Sequence, residues 1–159
     1  MDIKIRKANK EDMHQVLKLI TELAVFEKEP DAVLVTVEEL QHAGFSENPQ
    51  FTCFVAEMAS EIVGMALIYF RFSTWVGKTV HLEDLVVKEK MRGKGVGKAL
   101  YTEVMTYALA QGVKRVNWVV LGWNEGAIRF YERTGANVMN EWWQVEMDYN
   151  GIKNYLENS

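Results

Sequence analysis

The chain has little of several things, and each scarcity excludes something. Its 159 residues hold one cysteine, Cys53, so no internal disulfide can form, and a reducing compartment is expected. Cys53 lies in an apolar, strand-like run and reads as a small buried hydrophobe rather than a nucleophile. The three histidines, His14, His42 and His81, are scattered without metal-ligand spacing, so no metal is expected. No run of 18 apolar residues occurs, so no membrane span is expected. The opening Met-Asp-Ile-Lys-Ile-Arg lacks the apolar core of a signal peptide, and a cytoplasmic location is expected. Positive charge is also short: the formal net charge of −4 argues against a nucleic-acid partner and leaves room for a cationic one.

What is present is enough for a core. Hydrophobic residues at 48% and charged residues at 25% are ordinary for a globular protein, and the length suits a single domain spanning 1–159. Ile3 and Ile5 alternate with Lys4 and Arg6 as a first strand. Met13, Val16, Leu17, Ile20, Leu23 and Ala24 recur at three and four, so 10–28 reads as an amphipathic helix. Its acidic end, Glu22, Glu27, Glu29 and Asp31, opposes the helix dipole and is either solvated or placed for a purpose. Thr36-x-x-Glu39 is a capping box for a second helix that Gly44 stops. Strands are expected at 51–58, 62–72, 79–87 and 113–121, with a last one in which Trp143, Val145 and Met147 alternate. Trp75, in the connection at 73–78, is either a lid over a site or a core anchor. Helices are expected from about Gly95 to Gln111, after Asn124, and over 152–156. The order means an α/β (α+β) chain: a mixed sheet with helices on its faces.

The most informative stretch is 83–99. An apolar strand ends, a charged turn follows, and Arg92, Gly93, Lys94, Gly95, Val96, Gly97 and Lys98 lead into a helix. Glycines let the backbone approach a ligand, and a helix N-terminus favours an anion, so this is a phosphate cradle. A Walker loop fails because Gly97-Lys98 is followed by Ala99 and position 92 is not glycine. A dinucleotide fingerprint fails because Gly93 and Gly95 would need a glycine where Lys98 stands. Arg92-x-x-Gly95-x-Gly97 fits R/Q-x-x-G-x-G/A.

That pattern resembles the pyrophosphate loop of the GNAT superfamily of acetyl-CoA-dependent N-acetyltransferases. A second segment, Asn124-Glu125-x-Ala127-Ile128-x-Phe130-Tyr131-x-x-x-Gly135-Ala136, resembles the superfamily's N-x-x-A-x-x-F-Y-x-x-x-G-F. The blocks Glu22-Leu23-Ala24, Trp75-Val76-Gly77-Lys78 and Leu82-Glu83-Asp84 are similar to the diamine branch, the spermidine/spermine and thialysine N-acetyltransferases. The resemblance covers nearly the whole chain. It implies the acyl-CoA N-acyltransferase fold, a mixed, mostly antiparallel central sheet flanked by helices on both faces, and acetyl transfer from acetyl-CoA to a primary amine of a small di- or polyamine or lysine-like amino acid.

The resemblance also implies residue roles. Phe26, Glu27, Asp84 and Trp75 would meet the amine substrate, and Glu83 would assist its deprotonation. Leu85, Val86 and Val87 would offer backbone groups to the pantetheine arm. Arg92, Gly93, Lys94, Gly95, Val96, Gly97 and Lys98 would hold the pyrophosphate. Asn124 would touch the cofactor, and Tyr131 would protonate the departing thiolate. The branch implies a homodimer. Departures stand at Phe26, where the family usually has tyrosine, and at Ser73, where an acid is common. The residues leave alternatives open. Glu83 can also be read as a surface acid, and Tyr131 as a packed aromatic. By period two, Glu83 and Asp84 face opposite sides unless a bulge intervenes, and the resemblance implies one there. Another acceptor, a protein amine or an aminoglycoside, and a non-catalytic acetyl-CoA sensor are the competing functions.

Overall fold

The computed structural model describes residues 2–159. Five strands form one sheet in the order β1 (Lys4–Lys7), β2 (Thr52–Met58), β3 (Glu61–Ser73), β4 (Gly77–Val87) and β5 (Val116–Asn117). Neighbours from β1 to β4 pair antiparallel, and β4 pairs parallel with β5. The helices are α1 (Met13–Phe26), α2 (Val37–Phe45), α3 (Val96–Ala110), α4 (Glu125–Arg133) and α5 (Tyr149–Glu157). Chain contacts divide into two compact units, one ending at Val119 and the other covering Val120–Ser159. Among the described residues no helix is long and apolar enough to cross a membrane.

In the first unit the sheet separates two apolar clusters, because alternate residues of a strand point to opposite faces. Phe54 and Ala56 of β2, Ala66 and Ile68 of β3, and Val80 and Leu82 of β4 pack with Val96, Leu100 and Val104 of α3. Cys53 and Val55, Met65 and Leu67, and Val86 pack with Met13, Val16 and Leu19 of α1 and Leu40 of α2. Helices thus cover both faces. Gly64 is what lets α3 lie close: a Cβ there would stand 3.0 Å from the Val86 carbonyl oxygen and 3.1 Å from Leu100 Cδ1.

The helix starts follow the sequence. Thr36 accepts from the Glu39 backbone N–H while the Glu39 carboxylate accepts from the Thr36 N–H, the expected capping box. Asn9 and Asp12 form another box around a 3-10 turn at Lys10–Asp12, which precedes α1 and takes the first turn expected of it. Arg6 fastens this corner to the sheet, through both Asp12 oxygens at 2.7 and 3.1 Å and Glu57 at 2.6 Å. Burial pushes the Asp12 carboxyl up, but the Arg6 guanidinium and the Asn9 N–H outweigh it and hold it below its usual range.

Two strand expectations need correction. The strand expected over 113–121 pairs only at Val116–Asn117, against Val80 and His81. The last strand, expected around Trp143, Val145 and Met147, is absent: 138–148 forms neither helix nor strand. Trp143 and Val145 are 87% and 91% exposed. Their period-two pattern describes a strand with one covered face, but a strand also needs a partner edge, and no ladder includes these residues.

Candidate active site

The site begins with a change of step in β4. Leu67 pairs with Asp84, but the next β3 residue, Ile68, pairs with Leu82, so Glu83 is an extra residue in the ladder. Such a bulge shifts the alternation by one. Before it, Val80 and Leu82 face α3; after it, Leu85 and Val87 do, and Val86 turns to α1. Glu83 and Asp84 therefore share the α1/α2 face instead of opposing each other. They line one cavity of about 510 Å³ with Ile20, Leu40, Phe51, Leu67, Tyr69 and Glu39.

Apolar walls around acids change their protonation. Burial, then the Glu83 charge, then the Glu27 charge push the Asp84 carboxyl up to about 6. Glu27, just past the end of α1, is raised by burial. Glu83 is better solvated and hydrogen bonded: Tyr69 Oη donates to its Oε2 at 2.8 Å, and His81 Nε2 lies 3.3 Å from the same oxygen. Burial, then the bond to Glu83, push the Tyr69 phenol up to about 12, so it stays a donor. The cavity thus joins an apolar floor to a carboxylate cluster, suited to a chain with a cationic end.

The glycine loop follows β4. Met91 is buried and anchors it, after a 3-10 turn at Glu89–Met91. Gly93 and Gly95 have φ of 73° and 85°, and a Cβ on either would meet nothing within 4 Å. The left-handed backbone, not crowding, is what calls for glycine at these positions. Gly95 caps α3 without any side-chain bond, leaving the first-turn N–H groups to an external acceptor. Arg92, Lys94 and Lys98 are exposed beside it. The Arg92 guanidinium reaches back to the Val87 carbonyl at 3.3 Å and lies over the Phe26 ring. Past His81 no strand is registered on the second edge of β4, so Leu85–Val87 keep an open backbone edge there among the described residues.

The second unit holds two of the expected residues. Asn124 is the N-cap of α4, its side chain accepting from the Ala127 N–H at 3.3 Å. Tyr131 lies on the same helix, half-buried, with its ring centre 5.4 Å from that of Phe130.

The structure therefore groups Glu83, Asp84 and Tyr69 in one cavity and places Arg92–Lys98 as a separate cationic turn. Trp75 is not among the cavity-lining residues. It sits 80% exposed at the β3–β4 turn, where Ser73 Oγ accepts from the Trp75 and Val76 N–H groups, which rules out the core-anchor reading. Sequence reasoning missed Tyr69, His81, Glu39 and Phe51. Counting by twos from Met65 and Leu67 reaches Tyr69, a signal that was there. Cys53 is buried, and its thiol is pushed up to about 12 by burial and the charges of Asp12 and Asp84, so it is no nucleophile.

Comparison with known proteins identifies the family. A model described as the acetyltransferase (GNAT) family matches residues 13–136. The chain is 39% identical over 145 residues to a thialysine N-epsilon-acetyltransferase of Sus scrofa, covering 86% of this chain and 85% of that one. It is 33% identical over 139 residues to the spermidine/spermine N(1)-acetyltransferase-like protein 1 of Homo sapiens, covering 83% of this chain and 20% of that one. An integron cassette protein of V. cholerae superposes with a TM-score of 0.79 at 24% identity, covering 100% of this chain and 99% of the other, which speaks for the fold alone. With that family model matching most of the chain and a relative 39% identical over most of its length, this chain belongs to the acetyltransferase (GNAT) family.

Proposed function

We propose that this acetyltransferase moves an acetyl group from acetyl-CoA to a primary amine of a small di- or polyamine or a lysine-like amino acid. The observation that carries the reading is the bulge at Glu83, which brings two carboxylates into one apolar-walled cavity. The names of the relatives, thialysine and spermidine/spermine acetyltransferases, support the acceptor class. The loop suits a CoA pyrophosphate: two left-handed glycines, an uncapped helix start and three exposed cations. Arg92 to Lys98 would hold it, Leu85–Val87 would meet the pantetheine arm, and Asn124 would touch the same molecule. Acetyl-CoA supplies the activated carbonyl and the thiolate leaving group.

An alkylammonium has a pKa near 10, so it must lose a proton before its nitrogen can attack. Glu83 takes that proton, and its exposure gives a route onward to water. Asp84 and Glu27 attract the cation, beside Phe26, with the exposed Trp75 as an outer contact. Tyr131 returns a proton to the thiolate as general acid. Backbone N–H groups near Leu85–Val87 stabilise the oxyanion. The whole chain acts as one domain, a reading supported by a family match that extends from the first unit into the second as far as residue 136. A homodimer in the cytoplasm completes the proposal. It draws on the large apolar residues exposed in the second unit, such as Trp142, Trp143 and Met147, and on the free buried thiol of Cys53.

Thiol release from acetyl-CoA, measured with a panel of amines, tests the reading. Thialysine, spermidine or putrescine should raise release well above the rate with water. Release only with an aminoglycoside or a peptide amine would move the activity to another acceptor. No release with any amine would leave an acetyl-CoA-binding sensor. Sedimentation equilibrium reads the dimer directly.

A further inference from the structure

One oxygen of Glu83 is held from two sides. Tyr69 Oη donates to Oε2 at 2.8 Å, and His81 Nε2 approaches the same oxygen at 3.3 Å. The His81 ring is 7% exposed as a residue and lies 5.1 Å, centre to centre, from Tyr69. On the far side of the ring, Arg71 Nη1 lies 3.0 Å from Nδ1. A guanidinium can only donate, so Nδ1 must present its lone pair. The ring proton then sits on Nε2 and points at Glu83. Asn117 of β5 stands opposite His81 in the parallel ladder. Residues 69, 71 and 81 lie on one side of the bulge and Glu83 forms it, and all four stand on the α1/α2 face. Burial and then the Arg71 charge push the imidazole below its ordinary value, in keeping with a neutral ring.

We propose that Arg71 and His81 are positioning residues for Glu83: Arg71 fixes His81 as the neutral Nε2–H tautomer, and His81 with Tyr69 pins Oε2 so that Oε1 faces the amine. The inference rests on the reading of Glu83 as the group that takes the amine proton, and it deepens that reading. It also specifies the proton's path. With Nδ1 occupied by Arg71, the ring has no second nitrogen free to pass a proton along. His81 is therefore a fixed donor and not a relay; the ammonium proton goes to Glu83 Oε1 and from there to water. The groups facing the ring are Tyr69 and Arg71 of β3, Glu83 of β4 and Asn117 of β5. Those facing Glu83 are Tyr69, His81 and Asp84, with Glu39 of α2 lining the same cavity and Glu27 acting on Asp84 from the end of α1.

Two measurements on the full chain test this. Imidazole ¹⁵N spectra should show His81 protonated at Nε2 and bare at Nδ1 through neutral pH. Arg71→Met, at an exposed side chain, should let the ring take up its second proton at higher pH. An Nδ1–H tautomer, or a doubly protonated ring at pH 7, would overturn the inference whatever the activity. The second measurement is the pH profile of kcat/KM with thialysine. His81→Phe keeps a ring against Tyr69 but removes the donor. It should lower kcat about tenfold, leave the amine KM within about twofold, and move the acidic limb to higher pH. A profile unmoved in His81→Phe, with Glu83→Gln still impaired, overturns the positioning role alone. If Glu83→Gln turns over normally, the base reading falls and this inference falls with it.

Discussion

The Arg92 guanidinium carbon lies 5.0 Å from the centre of the Phe26 ring. One residue belongs to the anion-binding turn, the other to the end of α1 beside Glu27. The contact joins the expected cofactor loop to the expected amine side. Phe26→Ala should weaken acetyl-CoA binding as well as amine binding, although Phe26 is not placed at the pyrophosphate. A double-mutant cycle with Arg92→Met, read by calorimetric titration of CoA, should return a coupling of about 0.5–1 kcal/mol. A coupling of zero would make the stacking incidental.

Asp84 sets catalytic need against stability. Its carboxyl is held up at about 6, chiefly by burial. The unfolded chain releases that proton near pH 3.9. Between the two values the native state binds more protons, so stability falls as pH rises and stays lowered at pH 7. Asp84→Asn should therefore stabilise the fold at pH 7, on the order of 2 kcal/mol, and give no gain at pH 4. It should also raise KM for cationic amines. Urea unfolding at both pH values, beside steady-state kinetics, checks the two halves.

Tyr131→Phe removes only a hydroxyl. If that hydroxyl protonates the thiolate, turnover should drop about a hundredfold while CoA affinity stays within about twofold. Equal kcat in the two proteins would return Tyr131 to its packing role beside Phe130.

Arg6 should matter to stability and not to chemistry. Arg6→Met strands Asp12, which is buried, and should cost about 3 kcal/mol in chemical unfolding at pH 7. Because Asp12 is held low, the stability it lends is present at neutral pH and is lost as pH falls through its lowered range. The gap between the two proteins should narrow in acid.

Much of the first unit was legible because its signals are local. The capping box at Thr36, the apolar spacing of α1 and the glycines at 93 and 95 each specify a conformation from adjacent residues. The extra residue at Glu83 was expected from the resemblance and not from the residues themselves. It is visible only as a mismatch between two strands, and nothing within Leu82-Glu83-Asp84-Leu85 marks it. His81 has no metal-ligand spacing to mark it, yet its partner stands two residues away, on the same side of the strand. The strand around Trp143 failed for the opposite reason. The local pattern was clear, but pairing depends on an edge elsewhere, which alternation cannot supply.

The bulge has one more consequence. Deleting Glu83 would close the ladder into a regular one, with Leu82 beside Asp84, Asp84 still on the α1/α2 face, and Leu85 and Val87 still against α3. The extra residue therefore adds a second carboxylate to the cavity without disturbing the alternation on either side of it. The core is indifferent to position 83, and only the pairing of the two acids depends on it. A chain shortened by that one residue should keep its fold and lose the group proposed to take the amine proton.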